Sequence, residues 1–254
     1  MKTRATFASA LVAAGSLMAG TMQAATVVIE DFASPGGDPS FGIFGFTPTG
    51  SGQSTGLTSA SSSAVPATQW EFTPSGETAY VNRLNIIDDP AVSGGTNYGA
   101  PAAWTVRHYA NGSPRTVTTG GATGYVGFYA RTSDSDLMVR IALSETLTGG
   151  VEASNELNLI GDGDWHLYQV DLSDDSQWNA MFGTSNGSLA GSQFDLNSLF
   201  LYNLGPNDGE TSLLELAYVS YDAEGPIQNL AVVPEPASLA LLAIGGLVMV
   251  NRRR

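Results

Sequence analysis

The sequence predicts an all-β protein, a two-sheet β-sandwich of jelly-roll type, with an N-terminal signal helix and a C-terminal transmembrane helix. Three observations carry that prediction. About ten short segments are rich in β-branched and aromatic residues and alternate apolar with polar on a two-residue period. Glycine, proline and asparagine clusters punctuate them at short intervals. No long 3.6-residue periodicity occurs outside the two ends of the chain, a pattern that matches sandwiches rather than α/β folds.

In chain order, Lys2 and Arg4 precede an apolar, alanine-rich run at 5–19, and the small residues Ala24 and Ala25 follow. That order of charge, apolar run and small-residue exit predicts a secretory signal peptide over 1–24, cut after Ala24. Strands are predicted at 26–32 (TVVIEDF), 69–73, 78–87, 103–109, 123–131, 136–144, 155–160, 166–172, 198–204 and 212–221. In 136–144 the alternation is clearest: Leu137, Val139, Ile141 and Leu143 share one face, and Met138, Arg140 and Ala142 the other. Residues 173–182 are read as a short helix or ordered turn that Asp174 and Asp175 would cap. Residues 47–65, nearly all Gly, Ser, Thr and Ala, are read as a loop too poor in apolar side chains to order itself. Residues 88–101, which carry Asn97 and Tyr98, are read as a second loop. One domain, 25–230, accounts for the body.

Without its two ends the chain is strongly acidic. Residues 25–233 hold five arginines (83, 107, 115, 131 and 140), no lysine and twenty-three carboxylates, a net charge of −18. A body of that sign repels phosphate backbones and anionic lipid, which argues against nucleic acid as a partner. There is no cysteine, so export is not accompanied by a disulfide framework. Stability must come from a core that about 210 residues are enough to build.

The tail, 231–254, reads AVVPEPASLALLAIGGLVMVNRRR. Pro234 and Pro236 remove two backbone donors and hold Val233 and Glu235 extended, a shape a protease can grip. The uncharged run 237–250 is a transmembrane helix of only about 21 Å, against roughly 30 Å of hydrocarbon, so it makes a short, weak anchor. Arg252, Arg253 and Arg254 would stay cytoplasmic. Val-Pro-Glu-Pro, apolar helix and arginine cluster together resemble a PEP-CTERM sorting signal. The resemblance implies export through the Sec translocon, removal of the leader by signal peptidase and transient arrest in the inner membrane of a Gram-negative bacterium. It further implies processing near Pro-Glu-Pro by an exosortase, and delivery to a cell surface or matrix rich in exopolysaccharide.

The body resembles galactose-binding-like and carbohydrate-binding jelly-roll domains, more loosely, in VVIEDF (27–32), GDGDWHLYQVDLSD (161–174) and the segment 195–220. That resemblance implies sugar binding and a structural calcium between first and last strands. Glu30 and Asp31 would be early ligands, with Glu215 and Asp222 as weaker substitutes where the usual aspartate pair is Ala217 and Tyr218. Any sugar stacking would fall first to Trp178, then to Tyr98 and Trp104, since Trp165 opens a strand where such sandwiches bury a tryptophan.

Catalytic chemistry is sparse. His108 and His166 are the only histidines, and no Gly-x-Ser-x-Gly elbow is present. Asp162, Asp164, Asp171, Asp174 and Asp175 lack the EF-hand pattern and read as a solvated acidic turn. No residue is assigned a catalytic role and no cofactor is expected beyond that calcium. The reading is an exported, non-enzymatic surface or matrix protein associated with exopolysaccharide and biofilm, with a carbohydrate-binding role. Its alternatives are a secreted polysaccharide hydrolase and a calcium-stabilised passive coat protein.

Overall fold

The computed structural model describes residues 26–32, 41–43, 54, 56–66, 80–91, 95–97, 100–102, 104–110, 116–119, 121–145, 149–206 and 208–227. The predicted strand at 69–73, the signal segment 1–24 and the tail 231–254 lie outside them. Among the described residues no helix is long and apolar enough to cross a membrane.

Extended segments make up most of the described residues. They run β1 (Val27–Glu30), β2 (Phe41–Ile43), β3 (Leu57–Pro66), β4 (Tyr80–Asp88), β5 (Gly95–Asn97), β6 (Ala100–Ala102), β7 (Trp104–Ala110) and β8 (Thr116–Thr118). The second half adds β9 (Tyr125–Thr132), β10 (Leu137–Glu145), β11 (Val151–Ser154), β12 (Leu157–Asn158) and β13 (His166–Asp171). After a 3-10 turn at Asp175–Gln177 come β14 (Trp178–Phe182), β15 (Gln193–Asn203) and β16 (Thr211–Asp222).

Two sheets form the sandwich, and a separate β5–β6 ribbon accompanies them. The six-stranded sheet runs β13-β9-β16-β4-β3, with β1 also on β16; the eight-stranded sheet runs β14-β11-β10-β15-β7-β2, with β12 on β10 and β8 on β15. All pairings are antiparallel, and sequence neighbours often lie in different sheets. Antiparallel strands exposed on one face need an alternating pattern, and the core obeys it. Leu137, Val139, Ile141 and Leu143 point into the main core while Met138 and Ala142 join a second cluster on the outer face, as the alternation in 136–144 predicts. Phe128, Leu84, Ile86, Leu214 and Leu216 from one sheet meet Val106, Phe194, Leu199 and Leu201 from the other.

Two predicted loops contain strands. Residues 57–66 form a ten-residue strand because pairing with β4, from Leu57↔Asp88 to Pro66↔Tyr80, supplies the backbone order its side chains do not. Its small residues also suit the alternation: Ser61 and Ser63 face out, while Ala60 packs against the core. Likewise 88–101 contains β5, paired with β6. Of the short helix or ordered turn expected at 173–182, the structure has a 3-10 turn at Asp175–Gln177, where the Asp174 side chain accepts the Ser176 N–H, before β14 begins. Trp178 to Phe182 pair with β11, so tertiary pairing overrides the local capping signal. The strand expected at 155–160 is only two residues long, with β11 lying before it.

The one buried histidine ties the sheets together. Nε2 of His108 lies 3.2 Å from the Ser62 hydroxyl, which donates to Asn82 Oδ1 at 2.9 Å. This places β7 of one sheet against β3 and β4 of the other through polar atoms inside the core. Burial lowers the His108 pKa from 6.5 to about 3, so the ring is neutral in the folded protein at ordinary pH.

Long turns are held by buried carboxylates. Glu152, fully enclosed, accepts the Asn186 and Gly187 N–H groups at 2.8 and 2.9 Å, and Glu145 accepts that of Ala190 at 2.6 Å. Asp88 accepts from Asp208 and Gly209 across the opposite connection. Replacing Glu152 with alanine is expected to leave two turn N–H groups without their acceptor. The expected cost is about 2 kcal/mol, read as a lower midpoint in denaturant unfolding. An unchanged midpoint would show that the turn does not depend on this carboxylate.

Candidate binding faces

Because strand residues alternate, each sheet presents one face to the core and one outward. The two outward faces gather most of the arginines of an otherwise acidic body.

On the eight-stranded sheet, the pairings Arg140↔Phe200 and Phe200↔Arg107 set two guanidinium groups on either side of an aromatic ring. Arg107 donates through Nε to Ser198 Oγ and through Nη2 to Asn197 Oδ1, both at 2.9 Å. Its Cζ lies 4.6 Å from the Tyr109 ring centroid, 5.1 Å from Phe182 and 5.5 Å from Phe200. Arg140 donates from Nε to the Ser154 carbonyl at 2.6 Å. Tyr202 stacks on Phe200 at 6.5 Å, and Met138, Ala142, Val151 and Ala153 complete this second apolar cluster. Both arginines and both rings are buried. A cation enclosed among aromatic rings and hydroxyls is compensated by cation–π contact and hydrogen bonds rather than by water.

On the six-stranded sheet the charged row is open to solvent. The pairings Ser63↔Arg83, Arg83↔Glu215 and Glu215↔Arg131 run straight across four strands. Arg83 reaches Glu215 Oε1 through Nε at 2.9 Å and Nη2 at 2.6 Å; Arg131 reaches Oε2 through Nε at 2.8 Å and also through Nη2. Glu215 is 4% exposed, while the arginines are 43% and 41% exposed. Burial pushes the Glu215 carboxyl up, but the hydrogen bonds and charges of Arg131 and Arg83 outweigh it and hold its pKa below the ordinary value. The Arg131 guanidinium lies 5.0 Å from the Trp165 ring centroid. Beside this row Val81, Tyr129 and Ala217 are packed with Val65, Trp165, Leu167 and Tyr218. Tyr218 sits in the bulge of β16 with φ of +46°, a left-handed conformation unusual for a non-glycine residue.

The residues expected to carry function are distributed otherwise. Trp178 and Trp104, candidates for stacking on sugar, are 4% and 1% exposed. Trp178 is turned inward to the core, its indole N–H donating to the Asp171 carbonyl at 2.9 Å, and Trp104 is inside the main cluster; neither offers a ring face to a ligand. Trp165, expected to be buried, is partly buried on the outer surface, packed against Val81, Tyr129 and Ala217, because its position falls just before β13, at the margin of the sheet. Tyr98 lies outside the described residues, as do Val233, Pro234, Glu235, Pro236 and the three terminal arginines.

The calcium candidates do not converge. Glu30 is buried opposite Val219, its Oε1 accepting the Phe32 N–H at 2.6 Å, while Asp31 is exposed. Asp222 accepts from Thr26 Oγ1 at 2.9 Å and from the Glu224 N–H at 3.0 Å. Glu215 is already clasped by two guanidinium groups, which makes it a poor cation ligand. Among the described residues no three histidine, cysteine or acidic side chains group as metal ligands.

The acidic turn hydrogen-bonds to itself: Asp162 accepts the Asp164 N–H, Asp171 that of Ser173, and Asp174 that of Ser176. His166 Nε2 lies 2.9 and 3.0 Å from the two Asp162 oxygens. The Asp164 N–H and then the His166 ring lower the Asp162 pKa.

The Arg83–Glu215–Arg131 row is the feature that sequence reasoning missed. Its signal was present: three outward positions on separate strands carry complementary charge, but only the strand order shows that they are adjacent.

Residues 232–254 match the PEP-CTERM protein-sorting motif. No curated protein matches the chain. Among solved structures, the chain is similar to the family 11 carbohydrate-binding module of a cellulosomal cellulase of Clostridium thermocellum. The identity is 11% and the TM-score 0.42, over 80% of this chain and 97% of that one. A family 30 carbohydrate-binding module aligns at 14% identity and a TM-score of 0.36, over 78% of this chain and 91% of that one.

Proposed function

We propose that this protein is exported to the cell surface or extracellular matrix by an exosortase-type system, and that its β-sandwich serves there as a non-enzymatic component that holds exopolysaccharide. The observation that carries this reading is the match of the C-terminal residues 232–254 to the PEP-CTERM sorting motif. That motif implies exosortase-type sorting; the finer steps are part of the proposal. Signal peptidase removes 1–24, residues 237–250 hold the chain in the inner membrane of a Gram-negative cell, and an exosortase cuts near Pro234 and Pro236. Residues 25–230 are the cargo.

A non-enzymatic role is supported by how the two histidines are used, one as a neutral core tie and the other against Asp162. A carbohydrate role is supported by outward sheet faces that set guanidinium groups next to aromatic rings, since sugars offer both hydroxyl groups and C–H faces.

Mass spectrometry of the mature C-terminus in surface fractions tests the sorting half. The chain is expected to end near Pro234–Pro236 in wild-type cells and to keep Arg252–Arg254 in cells lacking the processing peptidase. Surface-localised protein that still carries its arginine tail would overturn it. Retention of the purified protein on immobilised exopolysaccharide tests the binding half, and its absence would remove that half alone.

A further inference from the structure

The arginines of the eight-stranded sheet are enclosed by their neighbours, whereas those of the six-stranded sheet keep part of the guanidinium open to solvent. Arg83 and Arg131 each spend Nε and Nη2 on Glu215, and no described residue accepts from either Nη1. Both side chains are fixed in place by the buried carboxylate between them, so little rotamer freedom remains to be lost when a ligand arrives. Ser63 lies directly beside Arg83, and Ser61 beside Asn85, on the same exposed face. Across four strands spaced about 4.8 Å apart, the row from Ser63 to Arg131 extends roughly 14 Å. Trp165 prolongs it on the far side, since β13 pairs His166 with Ala130.

Polar and apolar parts of this face are adjacent. The charged row offers outward N–H and hydroxyl groups, while Trp165, Leu167 and Tyr218 offer carbon surface beside it. Tyr218 holds its place there at a left-handed backbone angle; such strain is often found where function requires a particular side-chain placement. The net charge of −18 on the body opposes a polyanionic partner at long range. The face therefore matches a neutral chain rich in hydroxyl groups rather than a phosphate or carboxylate polymer.

We propose that the outer face of the six-stranded sheet is a binding platform for a neutral oligosaccharide chain. Arg83 and Arg131 donate to its hydroxyl groups and Trp165 receives the C–H face of one sugar ring. This deepens the carbohydrate-binding reading above and rests on it. The length of the row requires an oligosaccharide; a monosaccharide reaches only one end.

Calorimetric titration of the full-length chain in detergent tests the platform, with neutral gluco-, manno- and galacto-configured hexasaccharides and an oligogalacturonate as probes. At least one neutral hexasaccharide is expected to bind, and more tightly than its monosaccharide. Trp165→Ala and Arg83→Ala are each expected to weaken binding about tenfold. Arg83→Lys keeps a cation beside Glu215 but removes the planar outward N–H pair, so it is expected to lose affinity while leaving the fold intact. Failure of the wild-type chain to bind any probe would overturn the carbohydrate-binding reading itself. Unchanged affinity in Trp165→Ala and Arg83→Lys would overturn the platform and leave that reading standing. Preference for the oligogalacturonate would overturn the neutral-ligand assignment.

Discussion

Lowering the pH from 7 to 4.5 is expected to remove about 2–3 kcal/mol of folding stability through His108 alone. The sign follows from burial. The folded ring has a pKa of about 3 against an ordinary 6.5, so below pH 6.5 the unfolded chain takes up a proton that the folded chain refuses. The stabilisation is therefore complete above pH 6.5 and is lost progressively as the pH falls towards 3. Below the ordinary carboxylate range Glu215 adds to the loss, because its folded pKa is also lowered and protonation releases its two arginines. Melting temperatures recorded from pH 7 to 4 check this. In His108→Gln the decline between pH 6.5 and 4.5 is expected to flatten. An unchanged decline would mean that His108 is not the group responsible.

Truncating Trp104 to alanine is expected to cost about 3–5 kcal/mol, comparable with the stability of many whole domains. Its ring lies among the largest fully buried side chains, on β7 where that strand pairs with Asn203 at the end of β15. Loss of the indole leaves a cavity between the sheets that rigid strands close poorly. Denaturant unfolding should show the loss, while sugar affinity of the fraction that remains folded should not change. A binding defect in a variant of unchanged stability would return Trp104 to the list of ligand contacts.

Particular residues show how far the sequence could be read. The alternation in 136–144 identified both faces of β10 before any partner was known, because the four aliphatic residues of one face alternate with Met138, Arg140 and Ala142 on the other, although both faces are buried. β3 was illegible for the opposite reason. LTSASSSAVP has few large side chains to reveal a face, and its order comes from nine paired positions on β4. The tryptophans mark a second limit. Trp178 stands in a polar neighbourhood, DDSQWNAMF, yet the turn of the chain after Gln177 directs its ring inward, where the Asp171 carbonyl accepts its N–H. The ladder on the six-stranded sheet needed three strands separated by up to 132 positions to be set side by side. A single sequence holds the charges but not their order.

The two ends of the sandwich meet. Val27 pairs with Tyr221, and the Thr26 hydroxyl donates to the Asp222 carboxylate at 2.9 Å. Residues 1–25 and 228–254 are thus joined to the two partners of one strand pair, β1 and β16. A pull on the C-terminal end of β16 acts on a strand that β9 flanks on one side and β4 and β1 on the other. Force along that strand loads its ladder of hydrogen bonds in shear, all together, rather than peeling them apart singly. A load on the C-terminal end of β16 is therefore shared among three neighbouring strands.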